Sequence, residues 1–104
     1  MNNRIKKLQD YMVDQKVDGF VIGSEANRMY LSGFTGSNAM LLITVDRQPI
    51  IVTDFRYVEQ VSKQCPDFEC IDQKQKGTLG AVMECIQQIG LKRVAFEGEH
   101  ISYN

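Results

Sequence analysis

Three places in this 104-residue chain gather side chains that could do chemistry. The first is Gly33-Phe34-Thr35-Gly36-Ser37, two glycines in a short turn with a hydroxyl behind them. A glycine turn can expose backbone amides to an anion, and Gly33 and Gly36 with Ser37 fit that use. They also fit a tight connection in which only glycine tolerates a positive φ, a reading in which Gly36→Val strains the backbone. The spacing is not G-x-G-x-x-G, and no lysine follows as in a P-loop.

The second place is Asp54, followed at once by Phe55, Arg56 and Tyr57. An aspartate at the carboxyl end of a strand in an α/β sheet stands where ligands usually bind. A phosphoacceptor receiver domain keeps its reactive aspartate there, but it also needs an acidic pair after the first strand and a lysine after the last. Gly23-Ser24-Glu25 and Gly98-Glu99-His100 occupy those positions, with a single acid in the first and no lysine in the second. Arg56 at a helix start opposes the helix dipole, at a cost of about 0.5 kcal/mol. It can pair with Asp54, with a carboxylate of another domain or subunit, or with a ligand.

The third place is Glu97, Glu99 and His100. One imidazole and two carboxylates so close in sequence supply at most part of a metal site, and an exposed loop is the plainer reading. His100 is the sole histidine and has no adjacent nucleophile, which argues against a Ser–His or Cys–His hydrolase. Cys65, Cys70 and Cys85 are odd in number and form no C-x-x-C pair, so a disulfide framework, a zinc knuckle and a redox motif lack support. They read as buried free thiols in a reducing cytoplasm.

These groups must be positioned by one soluble domain. The chain is 43% hydrophobic and 24% charged with net charge −1, which fits a packed core and not a disordered segment. Basic and acidic residues are interspersed, against a nucleic-acid stripe or a polybasic membrane patch. No apolar run is long enough to span a bilayer, and polar Asn2-Asn3-Arg4 after Met1 opens no signal segment, so the expected location is cytoplasmic.

Periodicity predicts the elements. Ile5, Leu8 and Met12 mark an amphipathic helix over 3–16, stopped by Asp18-Gly19. Phe20-Val21-Ile22-Gly23 reads as a strand covered on both faces. Ser24 should cap a helix over 25–31 by accepting from the amide near Asn27, and Gly33 should end it. Residues 38–45 and 49–53, joined by Asp46-Arg47-Gln48, should form an antiparallel hairpin. Asp54 should cap a helix over 55–64 with Phe55, Val58 and Val61 on one side, ended by Pro66. A strand near an edge follows at 68–72. Thr78 should then cap a helix whose apolar face is Leu79, Val82, Met83, Ile86 and Ile89, ended by Gly90. A last strand covers 93–97. The order α-β-α-β-β-α-β-α-β gives a three-layer α/β/α domain with a mixed sheet of about five strands.

Asn27-Arg28-Met29-Tyr30-Leu31-Ser32-Gly33-Phe34-Thr35-Gly36-Ser37, then the apolar Ala39–Ile43 strand, then Thr53-Asp54-Phe55-Arg56-Tyr57 closely resemble the amino-terminal domain of the creatinase/prolidase/aminopeptidase P family. That pattern runs N-x-x-Y-L-[ST]-G-F-x-G-S and T-D-x-R-Y, and the likeness extends over nearly the whole chain. The wording is more like bacterial Xaa-Pro aminopeptidases and dipeptidases than creatine amidinohydrolases. The resemblance implies a ribonuclease H-like sheet of order 3-2-1-4-5 with strand 2 antiparallel. It also implies a carboxy-terminal catalytic domain holding two divalent metals, manganese or cobalt, that hydrolyses Xaa-Pro peptides.

On that likeness residues 1–104 are a creatinase-type amino-terminal domain, truncated at its carboxyl end. Ser102 or Asn104 would then cap a further helix. No catalytic, cofactor-binding or metal residue is expected within it. Its partners would be its own catalytic domain, further copies in a homo-oligomer, and the peptide substrate of the parent, with no nucleic acid or membrane. Gly33, Phe34, Gly36, Ser37, Asp54, Arg56 and Tyr57 match the motif positions and are the candidates for inter-domain contact or substrate gating. The competing reading is a stand-alone α/β ligand-binding or receiver-like module that uses the strand ends near Ser24 and Asp54.

Overall fold

Apolar residues at helical spacing dock α1 (Asn3–Gln15) on the sheet through Ile5 and Met12, both buried. The structure is a computed structural model, and it describes residues 3–97 and 102–103. β1 (Gly19–Ile22) follows, then α2 (Glu25–Ser32), capped by Ser24 through Asn27 N and closed by Gly33 at φ 80°. β2 (Ala39–Thr44) and β3 (Ile50–Thr53) form the expected antiparallel hairpin. A single 3₁₀ turn (Phe55–Tyr57) leads into α3 (Val58–Gln64) and β4 (Glu69–Asp72). α4 (Gly77–Ile89), ended by Gly90 at φ 85°, leads to β5 (Val94–Phe96), and β6 (Ser102–Tyr103) pairs antiparallel with β5.

The domain is α/β with a mixed sheet, as expected. Two buried clusters define its layers. Ile5, Met12, Leu31, Phe34 and Val61 from α1, α2, the glycine turn and α3 pack on Ile22, Leu41, Ile43 and Ile51. On the opposite face Ala81, Val82, Cys85 and Ile86 of α4 pack on Val21, Leu42, Ile50, Val52 and Val94. Strand residues alternate between the clusters because successive side chains point to opposite faces.

The strand order is β4-β3-β2-β1-β5-β6, which corrects the implied 3-2-1-4-5. β2 is antiparallel to β1 and β3, as implied. β4, however, pairs parallel with β3, and β5 takes the place beside β1. The short α3 returns the chain next to β3, and Glu69 and Asp72 leave β4 polar enough for an edge. Val94 is wholly buried and suits a strand with neighbours on both sides. Ser102 and Tyr103 lie in β6, not at a helix threshold.

Three further expectations change. Phe55 is 77% exposed and Val58 is also exposed, so Val61 alone of that trio reaches the core. The 3₁₀ turn advances three residues per turn instead of 3.6 and so rotates Phe55 outward. Leu79 is 53% exposed because the buried face of α4 runs through Ala81, Val82, Cys85 and Ile86. Thr78 does not cap α4, which begins at Gly77 with no side-chain cap.

Two phenylalanines test this placement. Phe34→Ala should cost about 3–5 kcal/mol, whereas Phe55→Ala should stay within about 0.5 kcal/mol. Urea unfolding of both variants checks the contrast, and equal losses would refute the outward turn of Phe55.

Candidate functional site

The carboxyl end of β3 and the amino end of β2 share one rim of the sheet, because the two strands are antiparallel neighbours. Asp54 leaves β3 there. Its Oδ1 accepts from Arg56 N at 3.0 Å and Arg56 Nε at 2.9 Å, and its Oδ2 accepts from Arg56 Nη2 at 3.0 Å and Asn38 Nδ2 at 2.8 Å. The predicted pairing of Arg56 with Asp54 is therefore present and bidentate. Bonds from Arg56 and then Asn38 hold the Asp54 carboxyl well below its usual range, against the opposing pull of burial. Arg56 is raised in turn, first by its bond to Asp54. With both oxygens held by four donors, Asp54 is a fixed acceptor, and the receiver reading finds no free nucleophile in it.

Asn38 links this pair to α4. Its amide also donates to Gln73 Oε1 at 3.2 Å, and its carbonyl oxygen lies 3.0 Å from the Thr78 hydroxyl, which also donates to Gln73. Thr53 donates its hydroxyl to Asn38 O. The polar role of Thr78 is thus to reach across the rim.

Tyr57 joins the aspartate to the glycine turn. Its ring meets Phe34 edge-on with centroids 5.7 Å apart, and its hydroxyl lies 2.7 Å from Ser37 Oγ. That bond lowers the Tyr57 pKa. Gly36 fits between the two rings. A β-carbon there would lie 2.3 Å from the Phe34 ring and 2.9 Å from Tyr57. Gly36 does not have a positive φ, so its requirement is space, which corrects the backbone reason given from sequence. Gly33 carries the left-handed conformation instead.

The turn's amides are largely spent. Gly33 N donates to Met29 O at 2.8 Å, Phe34 N to Ser32 Oγ at 3.0 Å and Thr35 N to Gln64 Oε1 at 3.0 Å. An anion cradle is thereby disfavoured and a tight connection favoured. The seven candidates do come together: Gly33, Phe34, Gly36, Ser37, Asp54, Arg56 and Tyr57 form one continuous rim.

Sequence reasoning missed Arg28, which is only 4% exposed. Its guanidinium donates to Gly36 O at 2.9 Å, Ala39 O at 3.1 Å and Gly23 O at 3.4 Å. The signal was present: Arg28 stands three and four residues before buried Leu31 and Ser32, on the inner face of α2. Glu97 was read as exposed loop and is half-buried. It accepts from Gly23 N at 2.9 Å, Ser24 N at 2.8 Å, Ser24 Oγ at 2.7 Å and Asn27 Nδ2. Burial alone would raise its pKa, but the bonds from Asn27, Ser24 and Gly23 together lower it. Glu99 and His100 lie outside the described residues. Among the described residues no group of three histidine, cysteine, aspartate or glutamate side chains could hold a metal ion. Cys65, Cys70 and Cys85 are free thiols, and burial pushes Cys65 up to about 11.

A family model described as Creatinase/Prolidase N-terminal domain matches residues 4–104. The peptidase YqhT of Bacillus subtilis is 35% identical over 101 residues, 96% of this chain and 28% of its own length. The N-terminal domain of the cytoplasmic peptidase PepQ from Mycobacterium tuberculosis superposes with a TM-score of 0.85 at 31% identity, over 93% of this chain and 74% of that domain. An Xaa-Pro dipeptidase from Bacillus anthracis gives 0.85 at 30% identity, over 97% of this chain and 28% of that protein. The chain thus spans 28% of the length of that peptidase and of that dipeptidase.

Two measurements test the rim. Gly36→Ala should lose about 1–3 kcal/mol of stability, and Phe34→Leu in the same chain should recover part of it. No recovery would mean that the rings do not set the requirement. The Asp54 carboxyl ionises more readily folded than unfolded. Its stabilising contribution is therefore complete above about pH 4, the unfolded carboxylate range, and fades as pH falls below it. Asp54→Asn should be less stable than the parent at neutral pH and lose less on acidification. Parallel acid limbs in thermal melts would contradict the assignment.

Proposed function

The chain belongs to the creatinase/prolidase N-terminal domain family, and on that basis we propose that it is the non-catalytic amino-terminal domain of a metal-dependent Xaa-Pro aminopeptidase or dipeptidase. The parent hydrolyses the bond between an amino-terminal residue and proline, in the cytoplasm and as a homo-oligomer. Two divalent metals, manganese or cobalt, supply an activated water and stabilise negative charge on the carbonyl oxygen. On this proposal the parent's catalytic domain would hold the metals. Among the described residues no helix is long and apolar enough to cross a membrane.

The domain's own part is assembly and gating at the active site. The observation that supports this is the presentation of Phe55. It stands 77% exposed between Asp54, which is pinned by four bonds, and Tyr57, which is wedged against Phe34. An aromatic held out on an anchored turn has low ordering cost on contact. Arg56 spends Nε and Nη2 on Asp54, so a carboxylate or carbonyl of substrate or neighbour can approach along its Nη1 edge.

In the full-length parent, Phe55→Ala and Arg56→Ala should each lower kcat/KM for an Xaa-Pro tripeptide by about tenfold, a loss of about 1.4 kcal/mol in transition-state binding. The 104-residue chain with added manganese should show no turnover. Unchanged kinetics in both variants would remove the gating role, and turnover by the short chain would overturn the accessory reading.

A further inference from the structure

The glycine turn is bound to α3 by side chains that lie outside the motif. Gln60 and Gln64 stand one helical turn apart on α3, so their amides reach the same place on its surface. Thr35, in the middle of the turn, meets both. Gln64 Oε1 accepts from Thr35 N at 3.0 Å, and Gln64 Nε2 donates to Thr35 Oγ1 at 3.0 Å. Gln60 Nε2 donates to Thr35 Oγ1 and to Gln64 Oε1, each at 3.0 Å. A backbone N–H can only donate, so the Gln64 amide must turn its oxygen to Thr35 N and its nitrogen to the hydroxyl. The backbone runs close as well. A β-carbon on Gly33 would lie 3.7 Å from Gln64 O, and Phe34 is buried in one cluster with Val61 of α3.

We infer that Gln60 and Gln64 are positioning residues that fix the glycine turn to α3 before substrate arrives, an inference that rests on the gating reading. Their side-chain hydrogen bonds run to Thr35 and to each other, and none goes to Asp54, Arg56 or Tyr57 among the described residues. Gly33 N and Phe34 N turn back to α2, through Met29 O and Ser32 Oγ. Thr35 is therefore the residue of the turn whose amide is held by α3. Because α3 follows directly on Tyr57, a turn fixed to α3 keeps Phe34, Gly36 and Ser37 in register with the Tyr57 ring and hydroxyl. Without the two glutamines that register has to be found on contact, and the ordering cost is subtracted from binding.

Exchange of the Thr35 amide with solvent reads the attachment directly. In NMR spectra of the 104-residue chain, Gln64→Leu should speed that exchange by about tenfold. Gln60→Leu spares the bond to Thr35 N and should speed it by about threefold. Gln64→Glu keeps an acceptor for Thr35 N and should stay within about twofold of the parent rate. The amides of Leu41 and Leu42, both wholly buried, should be unchanged and so report an intact sheet. In the full-length parent, Gln64→Leu should raise KM for an Xaa-Pro tripeptide about fivefold with kcat held within about twofold, and Gln64→Glu should bring KM back. Unchanged Thr35 exchange in Gln64→Leu would overturn the attachment. A fall in kcat at constant KM would also overturn the inference, because it reports a smaller folded fraction and not a misplaced turn. Faster exchange with parental KM, while Phe55→Ala still lowers kcat/KM, would overturn the positioning role and leave the gating reading standing. Parental kinetics in Phe55→Ala as well would remove both together.

Discussion

Arg28 lies at the centre of the rim with its guanidinium held by carbonyl oxygens, those of Gly23, Gly36 and Ala39. These three residues belong to the end of β1, the glycine turn and the start of β2. A buried cation is costly unless its donors are satisfied, and the chain satisfies most of them by bending three separate segments toward one side chain. Nε stays buried and unpartnered among the described residues. That placement fixes where Phe34, Ser37 and Asn38 emerge. Phe34 then sets the Tyr57 ring, Asn38 sets the Asp54 carboxylate, and the motif residues follow from a side chain that touches none of their functional atoms.

Seen from Arg28, the rim is a set of mutually satisfied groups. The Asp54–Arg56 pair is half in water on the arginine side, so its Coulomb attraction alone contributes little. More of its structural value lies in directed bonds: Arg56 N ties the 3₁₀ turn to Asp54, and Asn38 ties Asp54 to α4 through Gln73 and Thr78. This explains why polar residues that look catalytic in sequence have little free hydrogen-bonding capacity. It also leaves Phe55, whose apolar ring is 77% exposed among the described residues, as the group with most to gain from contact.

What was legible in the sequence was local. Ser24 reaching Asn27 N, Gly33 and Gly90 in left-handed closing positions, and the β2–β3 hairpin all depend on residues a few positions apart. What was not legible depended on distant neighbours. Gly36 looks like a backbone glycine until Phe34 and Tyr57 are seen on either side of it. Phe55 and Val58 have helical spacing with Val61, but the 3₁₀ turn breaks the phase. The edge place of β4 was legible in its alternating acids, but its parallel pairing with β3 was not. Arg28 sits between these cases, since a charged residue in line with Leu31 and Ser32 could be read as buried, but its three acceptors could not be named.

The Glu97 contacts have a consequence for how the chain reaches this structure. They join residues 73 and 74 positions apart, whereas β1 to β4 are linked by far shorter connections. Closing a long loop is entropically later and slower than pairing a hairpin. A ribosome-bound chain can therefore zip β1, β2, β3 and β4 together while β5 is still being made. The arrival of Glu97 at Gly23 and Ser24 then ties β5 to an α2 amino terminus that Ser24 already caps.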